Sequence, residues 1–108
     1  KTVLGYGNFF DTGFSTGPGS TLGSYGLFHA HSHVGAECTI GDFVQLGSGS
    51  IINPGVVVED EVFIGSGVTI IAGVSIGKGA RIGAGSVVIS SVKAGATMFG
   101  NPAQAVAS

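Results

Sequence analysis

The sequence has no tryptophan, one cysteine, three prolines and few charges, with four basic and six acidic residues making up 9% of its 108 positions. So small a basic complement leaves no stripe to neutralise a phosphate backbone, which excludes a nucleic-acid footprint. Cys38 has no second cysteine to pair with, and a reducing, cytoplasmic home is expected. Mean hydropathy is high at +0.53. Even so, no apolar run approaches the ~18 residues of a membrane-spanning helix, because glycine and polar residues interrupt every stretch. The first residues lack the charged-then-apolar build of a secretory signal. The chain opens on Lys1 rather than methionine, so a processed or excised piece of a longer protein is expected. A chain of this length implies one domain with one core.

Glycine is what the sequence has in plenty, with 21 residues at regular intervals. Every sixth residue from Leu4 gives Leu4, Phe10, Thr16, Leu22, Phe28, Val34, Ile40, Leu46, Ile52, Val58, Ile64, Ile70, Ile76, Ile82, Val88 and Ala94, of which fourteen are large and apolar. Four residues after each stands a mostly small or β-branched side chain, such as Ser20, Ser32, Cys38, Ser50, Val62, Val68 or Ala80. A helix with 3.6 residues per turn cannot hold a strict six-residue beat over this length. A triangular coil can. The first and fifth positions of each hexad point inward, the sixth and second lie outward on a flat face, and the third and fourth turn the corner. Glycine suits those corners because it tolerates positive φ, as at Gly49, Gly55, Gly67, Gly73, Gly79 and Gly85.

Three hexads close one turn, so residues eighteen apart stack at about 4.8 Å. The sixteen hexads make about five triangular turns of an all-β, parallel β-helix over residues 1–103, followed by a C-terminal tail at 104–108. Phe14 and Asn8 occupy positions that hold small residues elsewhere, and such atypical first repeats read as a cap. Stacking also predicts an outward column of Phe9, Leu27, Gln45, Phe63, Arg81 and Phe99. Aligned exposed apolar residues ask for a partner, and threefold self-assembly through this face would supply one.

The pattern over residues 4–103 closely resembles the hexapeptide-repeat acyltransferases. The stretch Ile76-Gly-Lys-Gly-Ala-Arg-Ile-Gly-Ala-Gly-Ser-Val-Val and the later Gly100-Asn101-Pro102-Ala103 look like the end of the sugar O- and N-acetyltransferases. Within these the chain is nearest the sialic-acid O-acetyltransferase and bacillosamine-pathway N-acetyltransferase group. The resemblance implies a left-handed coil, a homotrimer, acetyl-CoA as co-substrate and a sugar or nucleotide-sugar acceptor. It also implies transfer to an amino or hydroxyl group, with no membrane or nucleic-acid partner. Relatives often carry a separate sugar-nucleotide domain, for which this chain has no room.

By the same resemblance, Val34-Gly-Ala-Glu-Cys-Thr-Ile-Gly-Asp-Phe matches a stretch that reads histidine-acid-cysteine in relatives. Glu37 and Cys38 agree with it, while Ala36 occupies the place of the general base. Three readings stay open. His33, three residues earlier, serves as base with Glu37 orienting it; an imidazole near pKa 6.5 suits proton abstraction at neutral pH. Alternatively the chain is a disabled enzyme, or the fold is kept as a non-catalytic trimeric scaffold. For coenzyme A the resemblance points to groove positions Gln45, Ser66 and Ala84, with Gln45 replacing a histidine of relatives. Lys78, Arg81 and Lys93, three of the four basic residues, are candidates to meet its phosphates; Lys78 also stacks over Asp60 and Asp42 and could serve only to neutralise them. His29, His31 and His33 share one hexad, but their side chains leave from one face, a corner and the next face. No metal site is expected, because ligand nitrogens must converge to about 2.0–2.1 Å from one ion.

Overall fold

The computed structural model describes residues 2–106. All its regular structure is strand, in three sheets that form the sides of a triangular prism measuring 37 × 22 × 21 Å. The first sheet holds β1 (Val3–Leu4), β4 (Thr21–Leu22), β7 (Thr39–Ile40), β10 (Val57–Val58) and β13 (Ser75–Ile76). The second holds β2 (Phe9–Phe10), β5 (Leu27–Phe28), β8 (Gln45–Leu46), β11 (Phe63–Ile64), β14 (Arg81–Ile82), β16 (Thr97–Gly100) and β17 (Ala103–Ala105). The third holds β3 (Ser15–Thr16), β6 (His33–Val34), β9 (Ile51–Ile52), β12 (Thr69–Ile70) and β15 (Val87–Val88). This is the left-handed parallel β-helix of about five turns that the hexapeptide repeats imply.

Each of β1 to β15 is two residues long because alternation leaves one residue outward and one inward before the corner turns the chain. The inward set is the core: Leu46, Ile52, Ile64, Ile70, Ile76 and Ile82 are all at most 1% exposed. Each such side chain contributes roughly 1.5–3 kcal/mol through burial. The fifth-position residues fill the angles of the triangle, and four of them are buried serines. Ser20 Oγ donates to the carbonyl of Gly35 at 2.8 Å and accepts the amide of Cys38 at 3.1 Å. Ser50 does the same with Gly65 and Val68. Among the described residues no buried side-chain nitrogen or oxygen lacks a partner.

The eighteen-residue register holds from Val3↔Thr21 to Thr69↔Val87. It fails in the last coil. Ile76 pairs with Val92, and Arg81 pairs with Thr97, each a step of sixteen. Ala94, expected inward, is exposed, whereas Val92 is 5% exposed. Val92, expected inward at a fifth position, is inward but takes the place above Ile76 expected for Ala94, because this coil is two residues shorter. The outward column therefore runs Phe9, Leu27, Gln45, Phe63, Arg81, Thr97, with Phe99 outside that sequence of partners.

At the N-terminal end, Phe10 and Phe14 stack at 4.9 Å, and both lie 5.1 Å from the buried Phe28. Asn8 bonds the carbonyl of Gly23 at 2.8 Å and the amide of Gly26 at 2.7 Å. At the other end β17 folds back antiparallel on β16 through the turn Asn101-Pro102, which follows Gly100 at φ +114°. The residues expected as a tail thus begin as a strand, with 104 and 105 inside β17. Residues 107 and 108 lie outside the described residues.

Candidate functional site

His33 is the outward residue of β6, since Val34 beside it is fully buried. It stands between Ser15 below and Ile51 above. Its Nδ1 lies 2.7 Å from Ser15 Oγ, and no other hydrogen bond reaches the ring among the described residues. The chain then passes through Gly35, where a Cβ would come within 2.7 Å of the Pro54 nitrogen, so only glycine lets the coils stack. Ala36 and Glu37 turn the corner from the third sheet to the first, with Glu37 in the left-handed region at φ +58°. Ala36 is half-buried and Glu37 exposed.

Three of the residues chosen from the sequence thus lie within five positions of one another: His33 on the flat face closes one hexad, and Ala36 and Glu37 turn the corner of the next. The polar partner of the imidazole is Ser15, however, and not Glu37. Ser15 is the residue that sequence reasoning missed. Cys38 follows, its thiol donating to the carbonyl of Asn53 at 3.2 Å; burial pushes its pKa above the ordinary 9.0.

The three histidines find three separate surroundings. His29 Nε2 lies 3.3 Å from Gln45 Nε2, His31 lies over Gly13 at φ +59°, and His33 meets Ser15. Among the described residues no group of three or more potential ligands converges on a metal position.

The cofactor candidates divide between two edges of the second face. Ser66 and Ala84 are exposed on the corner leading to the third sheet. That corner is smooth, built from Gly47-Ser48-Gly49, Gly65-Ser66-Gly67 and Gly83-Ala84-Gly85. Gln45 is half-buried on the second face, and Arg81 is exposed on it with its guanidinium 5.1 Å from the Phe63 ring centroid. Lys78 and Lys93 stand at the opposite corner. Lys78 lines a shallow cleft with Thr39, Gly41, Val57, Val58, Glu59 and Asp60, and its backbone amide donates to the Glu59 carboxylate at 2.9 Å. The neighbouring carboxylates cap amides of the coil below: Asp60 accepts from Asp42 at 2.7 Å, and Asp42 from Ser24 at 2.8 Å. One subunit therefore does not gather all six candidates into one pocket.

Sequence reasoning also gave no hint of the corner pair Tyr25 and Phe43. Their rings stack at 5.3 Å, both more than half exposed, at φ +60° and +57° where other turns place glycine.

A family model for bacterial transferase hexapeptide repeats (six repeats) matches residues 55–90. No curated protein matches by sequence. Among solved structures, WeeI from Acinetobacter baumannii AYE is 33% identical, with a TM-score of 0.77 over 97% of this chain and 55% of its own. The acetyltransferase domain of PglB from Neisseria gonorrhoeae FA1090, in complex with acetyl coenzyme A, is 25% identical. Its TM-score is 0.94 over 97% of this chain and 51% of its own. A mutant of GDP-perosamine N-acetyl transferase from Caulobacter crescentus, in complex with CoA and GDP-perosamine, is 28% identical; its TM-score is 0.94 over 99% and 51%. The chain spans about half the length of these neighbours.

Proposed function

From the premise that this chain has the repeats and fold of the hexapeptide transferases and that its solved neighbours include sugar N-acetyltransferases, we propose that it is an acetyl-CoA-dependent sugar acetyltransferase domain. The acceptor is an amino or hydroxyl group on a sugar, carried by a nucleotide. The observation that carries this is the overlay on the gonococcal acetyltransferase domain, solved with acetyl coenzyme A, at a TM-score of 0.94 over 97% of the chain. In the reaction, the acceptor nitrogen or oxygen attacks the thioester carbonyl carbon, a base takes its proton, and the thiol of coenzyme A leaves. His33, whose Nε2 makes no hydrogen bond among the described residues, is the candidate base. Glu37, exposed on the next corner, supplies negative charge. The smooth corner at Ser66 and Ala84, with Gln45 on the adjoining face, is the candidate path for the pantetheine arm. Arg81, Lys78 and Lys93 are candidates for the phosphates.

The same reading includes a homotrimer. Its support is the second face, where Phe9 is 52% and Leu27 43% exposed beside the half-buried Phe63. Assembly also brings the corner of one subunit against the face of another, which would unite candidates that lie apart in one chain. A cytoplasmic setting belongs to this reading, supported by the lone thiol of Cys38.

Ala36 favours a second reading, a non-catalytic trimeric scaffold, because no side chain there can take a proton. Thiol release from acetyl-CoA, measured with nucleotide-linked amino sugars as acceptors, decides between them. Acceptor-dependent release that His33→Ala abolishes supports the enzyme; no release at any acceptor concentration supports the scaffold.

A further inference from the structure

We propose that Ser15 is a positioning residue for His33, accepting a hydrogen bond from Nδ1–H and so leaving the lone pair on Nε2. The inference rests on the reading of His33 as general base. Its physical ground is separate, lying in the two-coil stack that sets Ser15 one strand below His33 with 2.7 Å between Oγ and Nδ1.

The ring has polar help on one side only. Ile51, its neighbour above, is exposed and apolar and offers no hydrogen bond. Ser15 is also exposed, and His33 is the only hydrogen-bond partner of its hydroxyl among the described residues. Solvent can therefore accept the hydroxyl proton while Oγ accepts from the ring. That arrangement suits both ends of the proposed proton transfer. A neutral ring with Nδ1–H carries its basic lone pair on Nε2. When Nε2 takes the acceptor's proton, Nδ1–H still donates to the same oxygen and the contact becomes charge-assisted. The opposite arrangement, with Oγ–H donating to Nδ1, leaves a proton on Nε2 and an inert base. A neighbour that selects one tautomer is the usual way a protein decides which imidazole nitrogen works. Glu37 is not needed for this, since the serine holds the nitrogen that faces the coil below.

Nitrogen NMR of the folded chain above the imidazole pKa tests the assignment without any assay. Expected is a His33 ring protonated mainly on Nδ1, shifting toward Nε2–H in Ser15→Ala and returning in Ser15→Thr. In the acetyl-transfer assay, Ser15→Ala should lower kcat about 2- to 10-fold, the scale of one neutral hydrogen bond. KM for acetyl-CoA should not change, and Ser15→Thr should restore the rate. A native ring protonated on Nε2, or a tautomer ratio unmoved in a folded Ser15→Ala chain, overturns the proposal. An inert native chain whose His33 still shows the Ser15-dependent tautomer overturns the enzymatic reading instead.

Discussion

Ala36 and Gly55 are joined across one coil step: the carbonyl of Ala36 accepts the amide of Gly55 at 3.0 Å. On the other side the amide of Glu37 donates to the carbonyl of Pro18, also at 3.0 Å. The backbone at this corner is pinned from above and below, between Pro18 and Pro54, so a side chain placed at 36 has a fixed point of departure. We predict that in a His33→Ala chain, which lacks the candidate base, adding Ala36→His raises acetyl-CoA-dependent transfer to an amino sugar by at least about 10²-fold, the lower end for a positioned general base. If the double variant folds and transfers no faster than His33→Ala alone, the corner is not a catalytic position.

The core prediction concerns Ile70, fully buried among the stacked inward residues. Ile70→Ala should cost roughly 2–5 kcal/mol, through lost burial and the cavity it leaves. Urea titration of both chains measures it. A loss under about 0.5 kcal/mol, well below that range, would mean that the inward residues do not carry the stability.

Assembly should depend on the second face. Light scattering is expected to give a trimer for the native chain, and Phe63→Glu should yield monomers or aggregate. This substitution also removes the ring beneath Arg81, so Arg81→Ala serves as the control and should leave the trimer intact. A native monomer at micromolar concentration sinks the prediction.

Cys38 gives a pH prediction. Burial raises its thiol pKa above the ordinary 9.0, so folding favours the neutral thiol over the thiolate. The stabilising effect is complete below the unfolded pKa and is lost as pH rises through the folded one. Thermal unfolding of the native chain should therefore fall off above about pH 9 more steeply than that of Cys38→Ala, as linkage requires. Parallel curves for the two chains would show that the thiol does not contribute.

Most of the coil is legible in the sequence because its period is a covalent fact: residues such as Ile64, Ile70 and Ile76 repeat wherever the lumen needs a large side chain. The last coil is not legible in the same way. The six-residue count places both Val92 and Ala94 inward, and it does not contain the two-residue shortening that leaves Ala94 exposed. At the site, the stacking of Ser15 beneath His33 follows from the eighteen-residue step, but the hydrogen bond between them depends on side-chain torsions that no spacing contains. Tyr25 and Phe43 hide for a related reason. Glycine is the expected residue at positive φ, and the ring stack that accompanies two aromatics there forms only once adjacent coils are in place.

Titration calorimetry of the native chain with acetyl-CoA tests most directly whether acetyl-CoA is its co-substrate. The prediction is saturable binding of one acetyl-CoA per chain, weakened when Arg81, Lys78 and Lys93 are replaced together by alanine. A folded, assembled protein that takes up no acetyl-CoA at millimolar concentration would contradict the account and leave the scaffold reading in its place.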